Sequence, residues 1–416
     1  MTATLPTRPV SAPPMTAIWT IGTPRLFAGL ESRPTLDYAA HQQTHGVLPG
    51  VDLPRLLDLL GGPGIAGRGG AGFPLADKVR ALPPGPRRVV VNGSESEPAS
   101  HKDRTLLRRA PHLVLDGALL LAQAIGARSV TVAVHDVDAA NVVRAAVRDR
   151  RDARRVDVRR VPGGFVAGEA RALLRSLAGG PAVPPGRRNH ATDDGVLVAN
   201  VETLAQLALL ARLGRRRFAE TGTAAEPGTT LVTVGGAVGR PGVVEIPIGT
   251  PLSILLGAAH ATPAQAVVIG GFHGSWHPPH ADLPLSRAGV AAAGGSFGAG
   301  IVYVLDERTC ALGELSAVAG WLAGESARQC GPCLFGLPAL AADVAALCRG
   351  DGRALAVAAR HAAAVDGRGA CSHPDGTARF VRSGITALSD EVRRHLAHGG
   401  CGRPVLGQLP TTGGRR

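Results

Sequence analysis

Late in the chain, the stretch "ESARQCGPCLFG", Glu325 to Gly336, carries a Cys-x-x-Cys pair, Cys330 and Cys333. Two thiolates one turn apart suit a zinc site, an iron–sulfur cluster or a redox dithiol, and only the partner ligands distinguish these. A second chemical stretch is "GRGGAGFPLADK", Gly67 to Lys78, with four glycines in six residues. Such a run turns tightly and lets a ligand approach the backbone. The apolar run beyond Ala76 reads as a helix start, whose free N–H groups favour a phosphate. A flexible linker is the plainer reading of glycine, but linkers rarely carry Arg, Phe and Lys at this spacing. Among 45 basic residues only Lys78 and Lys102 are lysines. In so arginine-biased a chain they suggest places where a compact point charge is needed.

The elements that must position these residues follow an alternating order. In "RVVVNGSESEPASHKDR", Arg88 to Arg104, a β-branched run ends in a polar turn holding Glu95, Glu97 and Lys102. That is the carboxyl edge at which open α/β sheets bind ligands. Next come "RSVTVAVHD" (128–136) as strand, "DAANVVRAAVRDRRD" (138–152) as helix and "RRVDVRRVP" (154–162) as strand, a βαβ order. "PGGFVAGEARALLRSL" then places Glu169 in the first turn of a helix, and "ANVETLAQLALL" opens another with Asn200 as its cap. Each alone is consistent with ordinary helix capping.

With 416 residues, 45% hydrophobic and 19% charged, the chain has room for two or three domains, each with its own core. Aromatics at 3% leave aliphatic packing to hold them. The charge of +13 invites a nucleic-acid reading. The arginines, however, are scattered or mixed with acids, as in "RAAVRDRRDARRVDVRR", and no aromatics interleave them, so no nucleic-acid partner is expected. The apolar stretch "HLVLDGALLLAQAIGA" is interrupted by Asp116 and Gln123, and no direct membrane insertion is expected. The start "MTATLPTRPVSAPP" lacks the features of a secretory signal and reads as a disordered arm of a cytoplasmic protein. Its cysteines then read as thiolates or core residues rather than disulfides.

Taken in order, "GRGGAGF…K", "NGSESEP…KDR", "GGFVAGEARALL", "NVETL" and the late "ES…CGPC" resemble the NADH-oxidising flavoprotein subunit of respiratory complex I. Equivalent subunits occur in NAD-linked hydrogenases and formate dehydrogenases. The resemblance runs from about Leu36 to His398. It implies an α/β fold: a Rossmann-like FMN/NADH-binding domain at 48–226 after an N-terminal arm at 1–47. A β-grasp domain of SLBB type would follow at 227–313, then a helical iron–sulfur bundle at 314–402 and a disordered tail at 403–416. Short Val/Ile/Thr runs about a "GRPG" turn support the β-grasp segment. The apolar-periodic stretches after Glu314 support the bundle.

The resemblance also implies roles. Gly67, Arg68, Gly69, Gly70, Ala71, Gly72 and Phe73, with Lys78, would hold FMN and stack part of the NADH. Asn92, Glu95, Ser96 and Glu97 match contacts to flavin and dinucleotide, with the two glutamates nearest the dinucleotide. Glu169 matches the first of a glutamate pair, and Asn200 with Thr203 matches a segment closing over FMN. Cys330, Cys333 and Cys371 match three of four ligands of a [4Fe–4S] cluster, while Ala327 stands where the first belongs. Ser326, His373 and Cys348 are the candidate substitutes; Cys310, Cys348 and Cys401 otherwise read as core or bystander residues. Other departures are Ser94 for Asp, Ala170 for Glu, Val79 for an aromatic, and no Phe in "PAVPPGRRNH" to sandwich the adenine.

Three outcomes remain open for the thiols: a labile four-iron or a three-iron cluster, a replacement metal such as zinc, or a metal-free relic. The expected activity is NAD(P)H oxidation through FMN, with electrons leaving to an iron–sulfur centre and then a partner subunit or ferredoxin-like protein, at the periphery of a membrane complex. The competing expectation is a catalytically silent flavin-fold or β-grasp scaffold, or a nucleotide-binding module that has lost its cluster.

Overall fold

The computed structural model describes residues 17–187 and 190–411. Among the described residues, ten strands form two sheets: β1 (Ile18–Thr20), β2 (Arg87–Gly93), β3 (Ala127–Val134), β4 (Val156–Arg160), β5 (Val196–Asn200), β6 (Thr229–Gly236), β7 (Gly242–Pro247), β8 (Ala264–Ile269), β9 (Ser275–His277) and β10 (Ile301–Asp306).

The first sheet is wholly parallel, in the order β4-β3-β2-β5. Val89, Val90 and Val91 on β2 and Val196 to Ala199 on β5 are all buried, as strands covered on both faces must be. β4 ends the sheet with exposed Arg159 and Arg160, charges that discourage further pairing. The chain moves outward from β2 to β4 and then crosses back to β5, so the order reverses between β2 and β5. Asn92 pairs with Asn200 at the carboxyl ends of those strands, the switch point at which such sheets bind ligands.

Helices Pro111–Ala124 and Val201–Phe218 pack so closely that a Cβ on Gly117 would lie 1.9 Å from the Leu204 carbonyl oxygen. Only glycine allows that approach. The Asp136 carboxylate caps helix Val137–Arg148 by accepting the Ala139 N–H at 2.7 Å.

The second sheet is mixed, ordered β1-β7-β6-β10-β8-β9, with β6 parallel to β10 and antiparallel to β7. The expected "GRPG" turn joins β6 to β7, and helix Leu252–Ala258 follows. Beyond β10 the chain is helical: Ala311–Gly324, Leu337–Cys348, Ala354–Val365, His373–Ala387 and Ser389–His398. Leu312, Leu315, Val318, Leu340, Val344 and Phe380 join these helices and β8 and β10 in one core.

Two expected boundaries are corrected. Residues 1–16 of the arm lie outside the described residues, but the rest of 1–47 is folded: it adds a strand to the mixed sheet and packs against the helices of the parallel one. β1 pairs with β7, and the buried Glu245 carboxylate accepts the backbone N–H groups of Arg25, Leu26 and Phe27 at 3.0, 2.9 and 3.0 Å. A fully buried carboxylate needs such donors, and the N-terminal segment supplies them. Helix Tyr38–His45 packs beside helix Pro111–Ala124, with His41 2.7 Å from Asp116. The tail also begins later than 403, because the Pro404 carbonyl accepts the Cys310 N–H at 2.8 Å and Leu409 is buried. Residues 412–416 lie outside the described residues.

Candidate functional site

A cleft of ≈ 970 Å³ opens at the carboxyl ends of β2 and β5, and every sequence-derived cofactor residue lies on its wall, together with Cys371. The glycine stretch forms a closed bracket: the Gly67 N–H donates to the Phe73 carbonyl and the Leu75 N–H to Ile65, each at 3.0 Å. Gly70 and Gly72 have φ of 100° and 69°, a region that favours glycine. Arg287 clamps the bracket by donating to the carbonyls of Gly70 at 3.1 Å and Gly67 at 2.5 Å. A Cβ on Gly70 would meet nothing closer than 3.9 Å, so the bracket's tip faces open space. Phe73 is half exposed. The following helix, Leu75–Arg80, has only six residues; the bracket's backbone, rather than an extended helix terminus, is what this loop presents.

Beneath the bracket runs a buried polar chain. The Arg68 guanidinium turns inward, 3.7 Å from Glu202. Lys102 lies 3.0 Å from Glu202 and 2.8 Å from Asp103, which accepts the Asn200 amide at 2.6 Å. Burial opposes the Lys102 charge, but Asp103 and Glu202 outweigh it and push its pKa up. Burial raises Asp103 to about 6 despite Lys102. Thr203 accepts the Arg68 N–H at 2.9 Å, and Lys78 donates to the Val198 carbonyl at 2.9 Å. Lys78 is lowered by burial alone. Thus one of the two lysines is locked inside the protein, and the other sits at the cleft with no carboxylate raising its pKa.

The acids of "NGSESEP" divide likewise. Glu95 accepts from Ser100 at 2.6 Å, from the N–H groups of Asp103 and Arg104 at 3.0 and 3.1 Å, and from Arg104 Nε at 2.9 Å. Burial disfavours its charge, yet Arg104 and Ser100 prevail and hold its pKa near about 2. Its carboxylate is committed to the start of helix Lys102–Arg109. Glu97 is the contrary case: Oε2 accepts the Phe272 N–H at 3.1 Å, Oε1 is buried without a partner, and burial lifts its pKa to about 8. Asn92 donates to the Gly168 carbonyl and Ser96 to the Phe165 carbonyl, both at 2.9 Å. Glu169 caps helix Ala170–Leu177, accepting the N–H groups of Arg171 and Ala172 at 3.0 Å each, so capping is its visible task.

Of the three matched thiols Cys371 lines the cleft, and Cys330 and Cys333 lie near it. Cys333 occupies a π-helical turn, Pro332–Gly336, at the head of helix Leu337–Cys348. Burial and then neighbouring Cys330 push its pKa to about 12, and Cys371 also adds to the shift. Of the candidate substitutes for the missing ligand, His373 has both ring nitrogens engaged, with His273 at 3.0 Å and the Leu322 carbonyl at 2.9 Å. Cys348 ends the helix that Cys333 begins, about 20 Å away at 1.5 Å per residue. Ser326 keeps a buried hydroxyl with no partner.

Family models agree with this layout. Residues 62–209 match the Nuo51 FMN-binding domain, and residues 314–395 match the NADH-ubiquinone oxidoreductase-F iron–sulfur binding region. The F subunit of NADH-quinone oxidoreductase from Streptomyces coelicolor is 30% identical over 371 residues, covering 81% of this chain and 82% of that protein. The chain belongs to the NADH-quinone oxidoreductase-F family. The family's member in Mycobacterium tuberculosis H37Rv is also 30% identical, over 81% and 84% of the two chains. An NAD+-reducing [NiFe]-hydrogenase in its air-oxidised state superimposes with a TM-score of 0.80 at 28% identity, over 92% of this chain and 68% of that one.

Within this oxidoreductase-F site, sequence reasoning overlooked Glu202 and Arg287. Glu202 lies inside the quoted "NVETL" and could have been found as the one acid in a buried helix start. Arg287 sits 217 residues from the Gly70 carbonyl it holds, and no local pattern announces it.

Proposed function

We propose that the chain is an NADH-oxidising FMN protein that passes electrons to an iron–sulfur centre or partner protein. The observation carrying this reading is the single cleft that joins the glycine bracket, the ends of β2 and β5, and Cys371. The bracket fits a phosphate-bearing planar cofactor: its tip is open, its φ angles exclude most side chains, and its carbonyls are turned back to Arg287. Gly69 to Gly72 and Lys78 would hold FMN, Phe73 would stack on the dinucleotide, and Glu97 Oε1, the orphaned carboxyl oxygen, would take a hydrogen bond from or to it. Asn92, Ser96, Asn200 and Thr203 keep the floor rigid, while Arg68, Glu95 and Glu169 support the wall from behind.

FMN, when bound, accepts a hydride and releases electrons singly. No side chain need act as acid or base; the bracket and floor orient the cofactor and exclude water. Cys330, Cys333 and Cys371, with Ser326 as the remaining oxygen donor, would hold an iron–sulfur cluster beside it. We read the mixed sheet as the SLBB-type β-grasp unit at 227–313, and the helices at 314–402 as the cluster-bearing bundle. Nicotinamide dinucleotide and an electron-accepting subunit or ferredoxin-like protein are the partners, at the cytoplasmic periphery of a membrane complex. Among the described residues no helix is long and apolar enough to cross a membrane.

Gly70→Asp tests the bracket. At a φ of 100° its side chain would strain the bracket, and its charge would repel phosphate in the cleft, giving colourless protein whose far-UV circular dichroism matches the parent. Stoichiometric FMN in that variant would remove the bracket from the site.

A further inference from the structure

At the end of helix Ala311–Gly324 remote from Cys330 and Cys333 lies a second cluster, independent of the flavin reading. Cys310, Glu391, His395 and Cys401 bring one ligand atom each to within 4.8 Å of one another. Fourteen residues of helix put it about 20 Å from the first thiols. Cys310 Sγ is 3.4 Å from His395 Nε2, which is 3.8 Å from Glu391 Oε1. A tetrahedral zinc with bonds of about 2.3 Å to sulfur and about 2.0 Å to nitrogen has S···N edges of roughly 3.5 Å.

The surroundings match those of a metal-binding set. His395 Nδ1 donates to the Cys348 carbonyl at 2.6 Å, which leaves the lone pair of neutral imidazole on Nε2, facing Cys310. Glu391 and His395 lie one turn apart on a single helix face; Glu391 Oε2 is held by Arg403 at 2.5 Å, while Oε1 faces His395 and accepts the Leu312 N–H at a long 3.4 Å. Cys310 caps its helix, and its sulfur accepts the Gly313 N–H at 3.2 Å. Cys310, Glu391 and His395 are buried and Cys401 is half-buried. Two thiolates and a carboxylate would carry three negative charges, matched by a divalent cation and Arg403.

We propose that Cys310, His395 and Cys401, with Glu391 as fourth ligand, form a structural zinc site that fastens the C-terminal segment to helix Ala311–Gly324. Binding releases the two thiol protons to solvent, and no oxidation occurs. All four positions are filled by protein, the pattern of a structural rather than catalytic zinc. The metal would reinforce the Cys310 N–H bond to Pro404 and the burial of Leu409.

The test uses the full chain, expressed with zinc and purified anaerobically under reductant, with metal measured by mass spectrometry. Zinc at about one per chain is expected. Cys401→Ser should lower it at least about tenfold while FMN stays bound, and Cys330→Ser should leave it unchanged. Zinc-edge X-ray absorption on the parent, which depends on no variant folding, should show two sulfurs at about 2.3 Å and two lighter ligands near about 2.0 Å. Absence of zinc, zinc lost in Cys330→Ser but kept in Cys401→Ser, a Cys310–Cys401 disulfide in the native protein, or a shell of three or more sulfurs would each overturn the assignment.

Discussion

Glu97 is the sharpest probe of the cleft's electrostatics. Its carboxyl follows β2, is pressed by Gly271, where a Cβ would sit 2.8 Å from Oε2, and has one oxygen without a partner. Burial therefore raises its pKa from 4.5 to about 8. In the unfolded chain the proton leaves near 4.5; in the folded chain it stays until about 8. Between these values the folded state binds more protons, so stability falls as pH rises, by about 1.4 kcal/mol per unit. Over the window of roughly 3.5 units this amounts to ~5 kcal/mol, fully present below pH 4.5 and lost above about 8. Glu97→Gln keeps the shape and the acceptor for Phe272 N–H but removes the titration. Urea unfolding of both ligand-free proteins at stepped pH isolates the effect, because Asp103 and every other group titrate in both. The parent should lose about 1.4 kcal/mol per unit relative to the variant through this window, then run parallel to it. A constant difference from acid to alkaline pH would refute the reasoning, since it would mean the carboxyl is already ionised when folded.

Two further outcomes follow from other parts of the site. Lys102→Met leaves Glu202 without one of its cationic neighbours in a fully buried position and should cost about 3 to 5 kcal/mol in urea unfolding; Lys102→Arg should fail to restore it, because no room surrounds a side chain only 2% exposed. At the first thiol site, Ala327→Cys should raise anaerobic iron content toward about four per chain and sharpen the reduced-state EPR signal, while Cys371→Ser should abolish iron; no iron in either parent or Ala327→Cys would make the site a relic.

How much of this was written in the sequence depends on range. β2, β3, β4 and helix Val137–Arg148 were legible from β-branched runs, apolar periodicity and Asp136, all of which act within a few residues. Asn200 as a cap was legible for the same reason. β1 was not, because a three-residue edge strand carries no periodicity and its place is fixed by β7 and by Glu245, more than two hundred residues away. Glu95 and Glu97 look alike in "SESEP", yet local donors make one a buried cap while burial leaves the other neutral. That division depends on Arg104 and on Phe272 and Gly271, which only the fold brings near. The cysteines divide similarly: Cys330 and Cys333 announce themselves by spacing, whereas Cys310 and Cys401 meet across the bundle and look like bystanders in the chain.

The account rests on a flavin that NADH can reach in the cleft between the glycine bracket and Cys371. Anaerobic titration of the FMN-loaded chain with NADH, followed by absorption, tests that most directly. The flavin band should bleach fully at about one equivalent of NADH per flavin in chain without iron, and at about one and a half where a one-electron cluster is also loaded, since each hydride carries two electrons. A flavin that stays bound and yellow in excess NADH, or a chain that retains no flavin, would contradict it.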